Sequence, residues 1–396
     1  MRERVHVWPE EILCTDKSLT SGARVEMPDG NHWRLWYRLP AAHAASVTRS
    51  ADPFLLGVLF SAMQTPADVH VHGTISPSLL RNLEEFQAAW ALWKPEHYRQ
   101  VDCTADTEQE QPRAPGDEAI LGFSGGVDST FSAWRRRPAE AGKHQPKLAA
   151  GVMVHGFDIP LDDTEAFESA AEKNRRMLAS IGVDLIPIAT NLREQHNDWD
   201  DLHGAALAAC LAILQGGYGT GFIASSYIYS KLILPYGSNP VTDWMLSSDS
   251  FQVVHDGAAH HKAEKVREIT QWPEAMQYLR VCWEGRLKDR NCCRCQKCVW
   301  TLLTLRAMGQ GLPACFPHDI SDGELRRLKF HDVASLDSTR RFIAWLKAEG
   351  ISASWVRALQ VSVVANQLRF AVMGRVPFPK PLRRLARLWF VSPQAP

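Results

Sequence analysis

Between residues 118 and 226 the chain repeats one pattern, a short apolar run followed by a turn and a helix-length stretch. The apolar runs are AILGF, KLAAGVMVHG, VDLIPIAT and GFIASS. Between them lie a helical stretch opening at Asp128, the amphipathic TEAFESAAEKNRRMLASIG closed by Gly182, and the apolar LHGAALAACLAILQGG. Strands spaced by helices of this length pair in parallel, because a crossover helix returns the chain to the same end of the sheet. The expected fold class is α/β, a doubly wound parallel sheet. Right-handed crossovers then bring the carboxyl ends of the strands, and any ligand, to one edge.

The 396-residue length predicts two or three domains, and 45% hydrophobic with 22% charged residues are ordinary values for folded chains. Residues 1–103 alternate β-like runs (RVHVW, HWRLWYRL, DVHVHG) with helical spacing at 53–63 and 77–93, and read as an N-terminal α+β domain. Residues 104–117, TADTEQEQPRAPGD, are polar, acidic and proline-containing, and read as a linker. The repeating segment, 118–281, is the expected ligand-binding domain. A cysteine module follows at 282–315, then a mainly helical region, 316–396, with a basic tail.

After the first apolar run comes Gly122-Phe123-Ser124-Gly125-Gly126-Val127-Asp128-Ser129. Successive glycines let backbone N–H groups approach phosphate oxygens, and the next helix adds the positive end of its dipole. Ser124 and Ser129 supply hydroxyl donors, and Asp128 can cap the helix or help hold Mg2+. The turn has no Gly-Lys-Ser/Thr and is not GxGxxG, which excludes a Walker-type loop and disfavours a dinucleotide fold. Ser-Gly-Gly-Val-Asp-Ser after a short strand resembles the pyrophosphate-binding loop of the PP-loop ATP pyrophosphatase superfamily. The resemblance implies ATP bound through Phe123 to Ser129, cleavage between the α and β phosphates, and adenylation of a substrate oxygen.

Five of nine cysteines crowd between 282 and 298. Cys282-x9-Cys292-x2-Cys295-x2-Cys298 offers four thiolates, the donor set of a closed tetrahedral Zn2+ site. A cluster at two-residue gaps indicates metal rather than disulfides, and with it a reducing compartment. The combination resembles 7-cyano-7-deazaguanine synthase-like proteins, in which the residue after the first cysteine of the run is usually glycine; here it is Cys293. Other residues follow from the pattern or the resemblance. His155, Asp158, Ser225 and Ser226 close strands at the ligand edge, with His155, Ser225 and Ser226 expected near the nucleotide and Asp158 near the substrate. Asn239 and Asp243 resemble a substrate-side segment loosely, since Trp244 and Met245 stand where that family has Cys-Arg. Lys262 and Lys265 share a helical face and resemble lysines that neutralise departing pyrophosphate. Arg193, His196 and His203 lie in the third crossover, where spacing does not decide their direction.

The formal charge is zero, but the last acidic residue is Glu349 and seven basic residues follow it. The terminal 47 residues thus carry +7 and the first 349 carry −7. The tail segment LRRLARLW suits RNA, an acidic membrane surface, or the acidic body of the same protein, and docking on the body is favoured over a nucleic acid. No apolar run reaches the ~18–20 residues of a membrane span, and no signal sequence is visible, so a cytoplasmic setting is expected. The implied function is an ATP-dependent ligase that activates a small-molecule, peptide or protein carboxylate for a nitrogen donor, with residues 1–103 selecting the substrate; a homodimer is compatible with this. The rivals are a tRNA-modifying sulfurtransferase using a cysteine such as Cys210, and a nucleotide-binding regulator without turnover.

Overall fold

The computed structural model describes residues 3–373 apart from 141, 143, 197 and 331. The basic segment after residue 373 therefore lies outside the described residues. The chain divides into two units, residues 1–291 and 292–396.

The first unit begins with β1 (Arg4–Pro9), β2 (Leu13–Cys14), β3 (Ser18–Glu26), β4 (His32–Pro40), α1 (Asp52–Gln64), β5 (Asp68–Ile75), α2 (Pro77–Trp93) and β6 (Cys103–Glu108). The repeating segment follows as β7 (Glu118–Gly122), α3 (Val127–Arg135), β8 (Lys147–His155), α4 (Thr164–Ala179), β9 (Asp184–Thr190), α5 (Trp199–Ala212), β10 (Thr220–Ala224) and β11 (Gln252–Asp256). Helices α6 (Lys262–Ile269) and α7 (Pro273–Tyr278) complete it. Among the described residues eleven strands join one mixed sheet in the order β11-β10-β7-β8-β9-β4-β3-β1-β5-β6, with β2 paired to β3.

The five strands from β7 to β11 are mutually parallel. β7 is central among them: the chain steps from it to β8 and β9 on one side, then returns to β10 and β11 on the other. That reversal leaves a crevice beyond the carboxyl end of β7, where two crossovers diverge. Right-handed crossovers of opposite sense place α3 and α4 on one face of the sheet and α5 on the other. The parallel reading of 118–226 is thus met, and the sheet extends further than the sequence pattern showed. Residues 252–256 add a fifth parallel strand.

Two expectations about organisation are corrected. The expected linker begins as a strand, since Cys103–Glu108 pairs in parallel with β5. It reads as polar because β6 is an edge strand with four of its six residues exposed. Residues 1–103 are not a separate body either. β4 pairs antiparallel with β9 through Tyr37↔Thr190 and Arg38↔Ala189, so the two halves share one sheet. Asn191 reinforces the seam, its side chain accepting from Trp36 N–H at 3.2 Å and donating to the Arg34 carbonyl at 2.7 Å. Burial of Val5, Leu35, Ile120, Val152, Ile186, Phe60 and Leu211 in one cluster reflects that continuity.

The described residues of the second unit are mainly helical: α8 (Gln296–Ala307), α9 (Asp322–Arg326), α10 (Val333–Ala348) and α11 (Ser354–Val372). Val299, Leu303, Leu325, Leu336, Leu346 and Leu359 form its core. Among the described residues no helix is long and apolar enough to cross a membrane.

Candidate functional site

The glycine-rich turn leaves the carboxyl end of β7, at the point where the strand order reverses. Gly125 has φ +76°, and a Cβ there would lie 2.3 Å from Asn174 Oδ1. Gly126 caps α3 in an extended conformation, φ −81° and ψ 170°. The N–H groups in the first turn of a helix have no partner within it, so the amides after Gly126 face the crevice as donors. Ser124 is exposed and Ser129 buried, with their Oγ atoms 3.5 Å apart. Phe123 is buried and fixes the turn to the core beneath it.

The two lysines of α6 converge on Asp128. Lys262 Nζ donates to Asp128 Oδ2 at 2.5 Å, and Lys265 Nζ to Asp128 Oδ1 at 3.0 Å. Lys265 is buried and also donates to the Ser225 carbonyl at 2.6 Å, tying the end of β10 to the loop. Burial pushes the Lys265 pKa down, opposed by the Asp128 charge. Burial alone would raise the Asp128 pKa, but Lys262 and Lys265 more than offset it and hold the carboxyl below its ordinary range. Both Asp128 oxygens thus carry an ammonium. This fits a group that positions cations, and it does not fit the expected magnesium ligand.

Sequence reasoning missed Arg280. Its backbone N–H donates to the Gly125 carbonyl at 2.8 Å, and its Nη2 to the Ser124 carbonyl at 3.1 Å. Nη2 also lies 3.8 Å from Asp158 Oδ2, so Asp158 does stand at the loop, half-exposed. The Arg280 guanidinium is buried, which lowers its pKa. No local motif marks an arginine that reaches a loop 155 residues earlier.

Other expected site residues are absorbed by the framework. His155 is buried, its Nε2 is 2.8 Å from the Pro160 carbonyl, and its ring stacks on Phe167 at 4.3 Å. Burial lowers its pKa, and its ring holds the turn after β8 rather than forming a nucleotide rim. Asn239 and Asp243 are also buried. Asp243 accepts from Ser238 Oγ at 2.8 Å and from Asn239 N–H at 2.9 Å, and lies 2.7 Å from His255 Nδ1. Asn239 bonds Tyr236, Val241 and Thr242 in the same loop. Both side chains are turned into the protein, so the expectation that they meet a substrate is corrected. Ser225 donates its hydroxyl to the Tyr227 carbonyl at 2.5 Å, whereas Ser226 is exposed. Arg193 donates to the Phe157 carbonyl, and His196 is held by Ser61 Oγ at 3.1 Å and the Gly57 carbonyl at 3.2 Å. Cys210 is fully buried in α5, and burial raises its thiol pKa well above the usual range.

The cysteines do converge. Cys282, Cys292, Cys295 and Cys298 each place Sγ within 4.8 Å of the others, a set that could hold a metal ion such as zinc. Cys292 and Cys298 are 4.0 Å apart at sulfur, close to the ~3.8 Å edge of a tetrahedron with Zn–S bonds of about 2.3 Å. Backbone N–H groups of Arg294 and Cys295 approach Cys292 Sγ at 3.4 and 3.2 Å, and Gly285 N–H approaches Cys282 Sγ at 3.2 Å. Donors aimed at sulfur stabilise thiolate character. Cys293 adopts φ +58°, the left-handed conformation that explains why glycine is favoured at such a position, and its sulfur is outside the four. Cobalt titration should therefore give thiolate-to-metal charge-transfer absorption that Cys295→Ser weakens, since three thiolates remain, and that Cys293→Ser leaves unchanged. Undiminished absorption in the first or loss in the second would put the wrong thiols in the set.

Comparison with protein-family models, with curated proteins and with solved structures finds no match for this chain.

Proposed function

We propose that the protein is an ATP-dependent adenylating enzyme of PP-loop type. The observation that carries this reading is the Ser124–Ser129 turn at the switch point of the parallel strands, with two lysines gathered against it. A substrate carboxylate or amide oxygen attacks the α-phosphorus, and the bond to the β-phosphate oxygen breaks, releasing pyrophosphate. A nitrogen nucleophile then displaces AMP from the activated carbon, forming an amide. A second activation of that amide would give a nitrile.

In this reading the N–H groups of the turn and the hydroxyls of Ser124 and Ser129 bind the triphosphate oxygens. Lys262 and Lys265 offset the charge that develops on the departing pyrophosphate, an electrostatic contribution that is commonly large in such transfers. Asp128 is a positioning residue: it holds both ammoniums at the loop before the nucleotide arrives. Arg280 braces the carbonyls of Ser124 and Gly125 from behind and sets the direction of their amides. The cysteine set is read as a structural zinc site, because four protein ligands leave no open position.

The buried thiol of Cys210 favours this reading over a sulfurtransferase that would use that residue as its nucleophile. The test is release of AMP and pyrophosphate from ATP across a panel of carboxylates, peptides and bulk tRNA. AMP and pyrophosphate should form in equal amounts with one class of carboxylate, and Ser124→Ala should reduce turnover ~10²-fold or more. ATP binding with no pyrophosphate released under any condition would identify a nucleotide-binding regulator instead.

A further inference from the structure

We propose that His70, His72 and Asp106 bind a first-row divalent metal ion of the zinc class, on the outer face of the strands β1, β5 and β6. The strand register builds the cluster. Val5, Val7, Val69 and Val71 point into the core, so the residues between them point out. His6 pairs with His70, and His70 with Thr104, in one cross-strand row. The next outward row brings Trp8, His72 and Asp106 together. β5 is six strands from β7, so the cluster lies roughly 29 Å across the sheet from the strand that carries the glycine-rich turn, at ~4.8 Å per strand.

One ligand atom from each of His70, His72 and Asp106 falls within 4.8 Å of the others. His70 Nε2 is 3.0 Å from Asp106 Oδ1, and His72 Nδ1 is 3.6 Å from the same oxygen. Tetrahedral ligands at about 2.0–2.1 Å from zinc are about 3.3 Å apart, between these two values. Two imidazoles and a carboxylate suit such ions, and the half-exposed Asp106 leaves the outer positions open.

The surrounding bonds are compatible with the tautomers that ligation needs. Thr104 Oγ1 donates to the Val69 carbonyl at 3.2 Å, so toward His70 Nδ1, 2.9 Å away, it is the acceptor. With the His70 proton on Nδ1, the Nε2 lone pair faces the Asp106 carboxylate 3.0 Å away, and in that tautomer a cation is needed between the two acceptors. His6 Nδ1 is 3.0 Å from His72 Nε2, and accepting a proton from it turns the His72 Nδ1 lone pair toward Asp106. Partners of this kind orient ligands and raise metal affinity. A single divalent ion meets the carboxylate and both imidazole lone pairs at once.

The test is the metal stoichiometry of the tag-free full-length chain titrated with Zn2+ or Co2+. The wild-type protein should bind one equivalent more than His70→Ala/His72→Ala, and one more than Asp106→Asn, which keeps the side-chain shape. The extra cobalt should show weak visible bands without the thiolate charge-transfer absorption of the cysteine set. Thr104→Val should retain the equivalent with affinity weakened about 10–100-fold. Equal stoichiometry in wild type and both variants overturns the proposal. A difference seen only in the double histidine variant, with Asp106→Asn unchanged, overturns the part assigned to the carboxylate. Circular dichroism of each variant separates loss of metal from loss of fold.

Discussion

Gly125→Ala should destabilise the protein by about 2–5 kcal/mol, combining a left-handed backbone cost of ~1–2 with ~1–3 for overpacking. The clash falls on Asn174, which is itself buried and donates to Met153 Sδ at 3.2 Å, so it has little room to withdraw. The neighbouring substitution separates folding from function. At Gly126 the backbone is extended, and the nearest atoms to an added Cβ are at 3.4 and 3.8 Å. Gly126→Ala should therefore stay within about 0.5 kcal/mol of wild type in urea unfolding. If the loop binds phosphate through its amides, the same methyl weakens ATP binding at least tenfold. Equal stability losses at the two positions would contradict the loop geometry. A stable Gly126→Ala with unchanged ATP affinity would instead count against the phosphate site.

Asp128→Ala carries the second large effect. It leaves Lys265 buried without its counter-charge, and removing one partner of a buried pair costs about 3–5 kcal/mol. The lower end applies, because Lys265 keeps the Ser225 carbonyl and can lose its proton. The pH dependence identifies the cause. In the wild type the folded Lys265 pKa already lies below its ordinary value of 10.5. Between the folded and ordinary values the unfolded chain binds more protons, so stability rises with pH across that window. Without Asp128 the window widens downward, and the variant should regain stability on alkaline titration more steeply than wild type. At the acid end the sign reverses. The Asp128 pKa is depressed from 3.8, so its contribution is complete above that value and is lost as pH falls through the folded one. The variant should lack that acid limb. Parallel stability curves for the two proteins from acid to alkaline pH would exclude the ion pairs as the cause.

How much of this was legible depended on whether the determinant was local. The turn after AILGF, the strands β8, β9 and β10, and the convergence of Cys282 with Cys292, Cys295 and Cys298 follow from residues close together in the chain. β6 was obscured because an edge strand needs few apolar residues, and CTADTE contributes mainly Cys103 and Ala105 inward. β11 was obscured because QVVHD is only five residues and is reached through a long irregular connection. Arg280 became visible only with the loop it braces in place. His155, Asn239 and Asp243 had suitable chemistry at suitable places in the sequence, but direction is set by packing. A polar side chain at a strand's end can hold the next turn as readily as it can meet a ligand. The alternation that marks DVHVHG as a strand also puts His70 and His72 on one side of it, but only the strand pairing brings Asp106 beside them.

Helix α5 has buried residues on every side, with only short side chains such as Ala205, Ala206, Ala208 and Ala209 over much of its surface. One side covers β7 and β10, and another is closed by α1, which is apolar along almost its whole length. Neither helix has a face suited to water, so each requires the other. The first hundred residues therefore cannot be excised as a module added to a self-sufficient parallel-sheet domain. Cutting them away would uncover α5 and open the β9 edge now paired with β4, creating adjacent apolar and hydrogen-bonding surfaces that favour aggregation. Substitutions in the first hundred residues are consequently tolerated mainly on their outer faces, while the inner faces must fit α5 and β9 of the parallel half.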